Sequence, residues 1–247
     1  MQFILNADDF GRTETANEAI TYGFQNRYLY RTTIMVNMPY YEEAKALAKQ
    51  YGFYDKIGLH INLVSGEPLT EDIKVCKNFI GENGRFNGQI FCDKKLWFFL
   101  SKIEKKALYT EIEAQINKYL SDGFTLMHAD SHGHTHTFPS INKIVIPLLK
   151  KYNFKSVRIT KNLCVRMLLR PYKLIIDVRS RRFNATNNVE MKHFGSCKDV
   201  MSSYRKIKGP CEVMLHPNFY DGVMLVEENI RYSDIYEFII KNGGEVL

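Results

Sequence analysis

Residues 128–136 read HADSHGHTH, a segment that places four of the chain's seven histidines and one aspartate at alternate positions. Histidine is a common metal ligand and titrates close to neutral pH, so such a cluster indicates a metal or proton-transfer site. In an extended strand these residues would face one side at about 3.3 Å per residue, too far apart for one ion to contact them all. At most one or two are therefore expected to be ligands, and the others to orient ligands, bind substrate or move protons.

The cluster follows an apolar segment, residues 124–127, which we predict to be a short buried strand, so the histidines emerge where a strand ends. Other predicted strands also carry polar residues at or near their carboxyl ends. They are residues 3–5 before Asp8 and Asp9, 57–63 with His60, 156–159 with Arg158, and 211–215 before His216. Within the cluster, His132 follows the predicted strand in the same way.

Predicted helices separate these strands, and they are residues 15–25, 41–51, 103–120, 140–152 and 233–241. Further strands are expected at 33–36 and at Val246, and Pro147 is expected to kink or break its helix. Alternating strands and helices favour a parallel sheet with right-handed crossovers. Because polar residues end several different strands, we predict a single α/β domain, a (β/α) barrel with its site at the carboxyl face. An open doubly wound sheet is the alternative, but the chain has no glycine-rich phosphate loop.

The length of 247 residues fits one such barrel, spanning 1–247, with ample core. Residues 65–100 read as an irregular insertion, either a lid facing substrate or a loop packed on the barrel surface. We see no apolar run near 18 residues and no secretory leader, so a cytoplasmic location is expected. The five cysteines lack CxxC spacing, which favours reduced thiols over disulfides or a thiolate zinc site.

Positive charge is concentrated in one stretch. The whole sequence carries +7, whereas residues 161–208 hold twelve Lys or Arg against three acidic residues, a local excess of +9. Such a stretch can attract phosphates, anionic lipid or acidic polysaccharide, although it is more often a solvated face. It is predicted to be helical from residue 163, with Pro171 interrupting. Its mixture of basic and apolar side chains suits an anionic membrane surface or a lipid-linked sugar.

Five motifs resemble those of the YdjC family of carbohydrate deacetylases, whose best-described member type is the chitooligosaccharide deacetylase. They are NADDFG at 6–11, TTIMVNMP at 32–39, GLHINL at 58–63, HADSHGHTHTFP at 128–139 and LHP at 215–217. The motifs extend over nearly the whole chain in the family's order. The resemblance implies the distorted (β/α) barrel of the glycoside hydrolase and deacetylase type. Residues 12–14 and Asn218 depart from the family pattern and would line the pocket, so the resemblance does not specify the sugar.

By that resemblance, Asp9, His60 and His132 would bind one divalent metal ion. Asp8 would act as the catalytic base and His216 as the partner acid. The mixed nitrogen and oxygen ligands suit magnesium or zinc, and permit cobalt or manganese. The residues expected to support the site or bind substrate are His128, Asp130, His134, His136 and Arg158.

Together these residues suit hydrolysis of an amide. A metal ion with open positions can bind both water and the acetyl carbonyl. Asp8 can remove the water's proton, and protonated His216 can stabilise the intermediate and protonate the leaving amine. The chain is therefore predicted to be a metal-dependent carbohydrate N-deacetylase acting on an N-acetylated sugar.

Two other functions use the same residues. A metal-dependent phosphoesterase could employ this Asp and His set, with the basic stretch holding phosphate. A non-catalytic sugar- or membrane-binding protein of the same fold is disfavoured because all five predicted catalytic and ligand residues are present. The expected partner is an N-acetylated sugar, with no nucleic acid and with a weak anionic membrane or lipid-linked substrate contact.

Overall fold

The structure, a computed structural model, describes residues 1–163 and 171–247, with the backbone alone at 171 and 172. The strands are β1 (Gln2–Phe10), β2 (Arg31–Ile34), β3 (Ile57–Ile61), β4 (His128–Ser131), β5 (Ser156–Val157), β6 (His193–Ser196), β7 (Cys211–Leu215), β8 (Asn218–Tyr220), β9 (Val223–Leu225) and β10 (Glu245–Val246). The helices are α1 (Glu14–Gln25), α2 (Tyr41–Gln50), α3 (Gln89–Cys92), α4 (Lys102–Ser121), α5 (Pro139–Lys151), α6 (Pro171–Ala185), α7 (Cys197–Ser203) and α8 (Tyr232–Lys241).

The main sheet is parallel and strongly curled into a half-barrel. Its strand order is β5-β4-β3-β2-β1-β7-β6, and β10 pairs with β1. The curl brings its two edges, β5 and β6, towards each other. The segment that follows β5 reaches β6, where Asn162 N–H donates to the carbonyl of Phe194 at 3.2 Å and Phe194 N–H donates to Asn162 Oδ1 at 2.9 Å. The predicted distorted (β/α) barrel is confirmed.

Strands buried on both faces explain the apolar runs in the sequence. β3, IGLHI, is buried at every residue, as expected of a parallel strand covered on one side by helices and on the other by the barrel interior. Polar side chains are concentrated inside the barrel towards the carboxyl ends of the strands. That arrangement positions the candidate site.

Some predicted boundaries are wrong. The strand expected at 124–127 begins instead at His128, because the backbone before it makes a tight turn in which His128 N–H donates to the carbonyl of Leu126 at 2.7 Å. Helix α5 runs unbroken through Pro147, which lies on the exposed side, where water can reach the carbonyl left unpaired. The described part of α6 begins at Pro171, a residue that suits the first turn of a helix, and the predicted interruption at Pro171 stays a prediction. The helix predicted for 164–170 lies outside the described residues.

The insertion at 65–100 packs on the barrel. Its side chains Ile73, Phe79, Ile90 and Leu96 are buried within the main core, which supports the surface-packing interpretation. Strand β6, helix α7 and the antiparallel hairpin of β8 and β9 were not predicted.

Two expectations about composition are consistent with the structure. No helix in the described part of the chain has the length and apolar character needed to cross a membrane. The described cysteines, at positions 76, 92, 197 and 211, are free thiols.

Candidate metal and catalytic centre

Both carboxylates at the end of β1 turn towards the barrel interior. In a regular strand Asp8 and Asp9 would face opposite sides, yet they are only 2% and 5% exposed. The pairing of β1 with β2 shifts register between Ala7 and Phe10, and Asp9 has a left-handed φ of 69°. Aspartate tolerates this conformation better than most residues, so the irregularity can place two successive carboxylates in one site.

Asp9 is the centre of a group of possible metal ligands. Its Oδ1 lies 2.7 Å from His132 Nδ1 and 3.2 Å from His60 Nε2. One ligand atom from each of these three residues lies within 4.8 Å of the others. The structure thus brings together the three residues predicted from the sequence as ligands. The other oxygen of Asp9 accepts from Arg12 Nη1 at 2.8 Å.

Asp130 fixes the orientation of His60. The Nδ1 of His60 donates to Asp130 Oδ1 at 2.6 Å, and Thr33 Oγ1 donates to Asp130 Oδ2 at 3.1 Å. Burial alone would lower the pKa of His60, but the Asp130 carboxylate overrides it and raises the pKa to about 10. Burial likewise opposes ionisation of Asp9, but its hydrogen bonds with His132 and His60 hold its pKa well below the ordinary value. Asp9 therefore stays ionised beside the two imidazoles.

A buried ion network lies directly beneath these residues. Arg158, fully buried, donates to both oxygens of Asp8 at 2.6 and 2.7 Å. It also contacts Asp130 at 2.7 Å and Glu212 at 2.7 Å. Arg31 pairs with the other oxygen of Glu212 at 2.7 Å. Burial would raise the pKa of Glu212, but the two guanidinium groups lower it to about 2. Three carboxylates and two guanidinium groups are thus paired with one another inside the barrel.

The remaining histidines of the cluster occupy different environments. His128 Nδ1 bonds Ser156 Oγ at 2.8 Å, and its ring lines a cavity of about 120 Å³ bordered by Arg31 and Glu212. His136 Nδ1 bonds Ser131 Oγ at 2.6 Å. Both support the barrel around the site and make no direct contact with Asp9 within the described residues. The expectation that they orient the site or bind substrate stays a prediction.

His134 and His216 lie nearer to the opening. His134 has a left-handed φ of 56°, and its ring stands edge-on to Phe194 with centroids 5.4 Å apart. Burial, with the charge of Arg158 and a smaller contribution from His216, lowers the pKa of His134. His216 is exposed, and the pairing of Ala7 with Leu215 puts it level with Asp8 on the neighbouring strand.

Sequence reasoning missed four polar residues that support the site, namely Asn6, Arg31, Thr33 and Glu212. Asn6 donates to Asp8 Oδ1 at 2.8 Å and accepts from Arg31 Nε at 2.8 Å. Glu212 could have been found from the sequence, because an acidic residue within the otherwise apolar strand CEVML indicates a buried charge that needs a partner. The departure at Arg12 was noticed, but its ion pair with Asp9 was not predicted.

The buried neutral histidines predict acid sensitivity. Burial lowers the pKa of His128 to about 3 and that of His136 to about 4. In the unfolded chain both take up a proton near pH 6.5. The unfolded state therefore binds more protons between about pH 6.5 and 4, and the free energy of unfolding falls as pH is lowered through this window, by up to about 1.4 kcal/mol per pH unit for each histidine.

Urea unfolding of the wild type and of His128→Asn at pH 6 and pH 4.5 will test this. The variant is expected to lose less stability than the wild type over that interval, whatever its stability at pH 6. The exposed His216→Asn serves as control and should keep the wild-type pH dependence. If His128→Asn lost as much stability as the wild type between pH 6 and pH 4.5, the buried imidazole of His128 would not be the source of the acid sensitivity.

Comparisons with known proteins identify a family and a shared fold. The family model described as YdjC-like protein matches residues 2–236. A carbohydrate deacetylase of Vibrio parahaemolyticus is 31% identical over 230 residues, 92% of this chain and 82% of that protein. One from Clostridium beijerinckii is 26% identical over 254 residues, 100% of this chain and 94% of that protein. One from Vibrio cholerae is 37% identical over 153 residues, but the match spans 62% of this chain and only 57% of that protein.

A solved structure shares the fold. It is a crystal structure of a protein from Enterococcus faecalis V583, with a TM-score of 0.70 and 20% sequence identity. The match covers 100% of this chain and 96% of that one.

Proposed function

Because this chain belongs to the YdjC-like family, we propose that it is a metal-dependent hydrolase that removes the acetyl group from an N-acetylated sugar or oligosaccharide. The observation that carries the proposal is the convergence of Asp9, His60 and His132 at the carboxyl ends of different strands. Asp8 lies beside them with its carboxylate fixed by Arg158. The carbohydrate deacetylases among its relatives support the substrate class.

The residues fit one divalent ion. One carboxylate and two imidazoles form a ligand set that leaves positions open for water and substrate. Asp130 holds the Nδ1 of His60 and leaves Nε2 directed at Asp9, as in other sites where an outer carboxylate orients a ligating histidine. We assign Asp9, His60 and His132 as ligands of magnesium or zinc, with cobalt or manganese also suited. When bound, the ion would supply Lewis-acid activation of a water molecule and of the acetyl carbonyl.

Asp8 is assigned the role of base. Its carboxylate accepts from Arg158 and Asn6, which hold it in place beside Asp9. It removes one proton from the attacking water as the oxygen bonds to the acetyl carbon. His216 donates a proton to the amide nitrogen as the C–N bond breaks. The products are acetate and the free amino sugar.

Phosphoester hydrolysis has less support. The cation that holds Asp8, Arg158, is already neutralised by Asp8, Asp130 and Glu212, so it has no free donor pair for a phosphate. The exposed cations of α6 lie outside the barrel. Measuring acetate and phosphate release from a panel of N-acetylated sugars and sugar phosphates distinguishes the two reactions. Phosphate release without acetate release would contradict the deacetylase assignment.

The purified protein is expected to carry about one divalent ion per chain, at Asp9, His60 and His132. The two other groups of possible ligands among the described residues both contain Asp130, which is already paired with Arg158 at 2.7 Å. Chelation should remove the ion together with acetate release, and adding back each divalent metal in turn should identify the one that restores activity. Elemental analysis and the acetate assay are performed on the same sample. An active preparation that contains no divalent metal would contradict the proposal.

A further inference from the structure

Helix α6 leaves an apolar surface in contact with solvent. Its Ile176 is buried, whereas Leu174 and Ile175 are 58% and 66% exposed and Val178 is 39% exposed. These three residues share one side of the helix. Single exposed apolar residues are ordinary, but three on one helix face indicate contact with something other than water.

Unpaired positive charges lie beside this apolar surface. A groove of about 550 Å³ between α5 and α6 is lined by Lys150, Arg179 and Arg182. Within residues 1–163 and 171–247, none of these three cations forms an ion pair, whereas the adjacent Arg181 pairs with Asp177 at 2.5 Å. The groove therefore presents positive charge that the described part of the chain does not neutralise.

The apolar part of this surface lies towards the face of the barrel where the site opens. Thr160, two residues after Arg158, donates through Oγ1 to Asp177 at 2.8 Å. Helix α6 begins at the carboxyl face of the sheet, so Leu174 and Ile175, which precede Asp177, lie further towards that face. The cations at 179 and 182 lie further away along the helix.

We propose that this surface, hereafter the α6 face, docks on an anionic lipid bilayer. Its members are Lys150, Leu174, Ile175, Val178, Arg179 and Arg182. Aliphatic side chains flanked by cations match a bilayer surface, where the former enter the boundary below the head groups and the latter meet anionic phosphates.

Two other occupants fit less well. A nucleic acid would satisfy the cations but would gain little from Leu174 and Ile175. A second copy of the chain docked through the same surface would bring like charges together. A bilayer satisfies both the apolar and the cationic members of the α6 face.

The experiment is sedimentation of the full chain with vesicles of phosphatidylcholine alone and of phosphatidylcholine mixed with phosphatidylserine. We expect the protein to pellet with the anionic vesicles at low salt, and to remain in the supernatant with neutral vesicles and at high salt. A variant combining Lys150→Gln, Arg179→Gln and Arg182→Gln should bind about a hundredfold more weakly, at roughly fivefold for each cation near the surface. A second variant, Leu174→Ser with Ile175→Ser, should also weaken binding.

The matched control removes three exposed cations elsewhere, through Lys49→Gln, Arg205→Gln and Lys206→Gln. It should keep wild-type vesicle binding, and thermal unfolding will establish that all variants are folded. Protein that stays in the supernatant with anionic vesicles at low salt would overturn the proposal, as would equal weakening in the control. A dimer in vesicle-free buffer that the Leu174→Ser, Ile175→Ser variant dissociates would assign the face to a second copy instead. Binding to a DNA duplex without binding to vesicles would assign it to nucleic acid.

This inference is independent of the proposed deacetylase chemistry. Its readout is association with lipid, so loss of vesicle binding leaves the acetate assay unaffected, and an inactive protein can still bind vesicles. The two proposals can therefore fail separately.

Discussion

Asp8→Asn is expected to lower acetate release by at least about a hundredfold, since general-base catalysis typically contributes 10²–10⁴-fold, while the protein keeps about one divalent ion per chain. Asparagine has nearly the same shape as aspartate, and its carbonyl can still accept from Arg158. It cannot take a proton from water. The proposed ligands, Asp9, His60 and His132, are unchanged in this variant, so metal content should persist.

Removing a proposed ligand should differ from Asp8→Asn in metal content. Asp9→Asn and His132→Ala are expected to lose both the ion and activity, because the remaining two ligands hold a divalent metal poorly. Asparagine is the better replacement for Asp9 because it tolerates the left-handed φ of 69°. Metal content by elemental analysis and acetate release, measured on one preparation of each variant, separate the two classes.

His216→Ala is the matched control for metal content, since the exposed imidazole is assigned to proton donation and not to ligation. It should keep the ion and lose turnover. Normal turnover in Asp8→Asn would show that Asp8 is not the base. If both Asp9→Asn and His132→Ala retained the metal, the assignment of Asp9 and His132 as ligands would be wrong.

Arg158→Met is expected to produce the largest loss of stability of any single substitution considered, about 3–5 kcal/mol in the free energy of unfolding. Arg158 is fully buried among the carboxylates of Asp8, Asp130 and Glu212, at distances of 2.6 to 2.7 Å. Methionine fills a similar volume but leaves these carboxylates with Arg31 as the one remaining guanidinium of the network. Unbalanced negative charge would then be buried in the barrel.

Urea denaturation of three variants tests this prediction. Arg158→Lys keeps the charge but loses the planar set of donors, so it should fall between Arg158→Met and the wild type. Arg85→Met removes a largely exposed ion pair with Glu67 and should change stability by less than about 1 kcal/mol. If Arg158→Met unfolded at the same urea concentration as the wild type, the buried network would not stabilise the fold as inferred.

The sequence predicted those features that depend on local pattern. Apolar runs ending in polar residues located β3 and β7 to within two residues, whereas β1 extends five residues beyond its predicted end, to Phe10. Alternation with helices predicted the parallel sheet, the polar strand ends predicted the barrel, and the family resemblance implied its distortion. Parallel strands place their carboxyl ends together, so Asp9, His60 and His132 were expected near one another. Their assignment as ligands came from the family resemblance, and it stays a prediction that the metal measurements will test.

The features that escaped prediction depend on which strands become neighbours. Arg31, Arg158 and Glu212 lie on or beside β2, β5 and β7, and their pairing is a property of the curled sheet, not of any local segment. The carboxyl end of β4, at Ser131, was not predicted for a different reason. Within the histidine cluster, Gly133 and His134 adopt left-handed φ values of 59° and 56°, which turn the chain directly after Ser131, and the alternation of histidines did not predict this turn.

The contact between Arg31 and Glu212 also bears on how this protein can diverge. Each residue lies inside the barrel. Loss of Glu212 would leave the Arg31 guanidinium without its ion-pair partner, and loss of Arg31 would leave Glu212 with Arg158 alone, which Asp8 and Asp130 also share. A neutral residue at either position is therefore harmful alone but tolerable when both change. Substitutions at positions 31 and 212 are therefore expected to occur together. Proteins descended from this one should keep both residues or replace both.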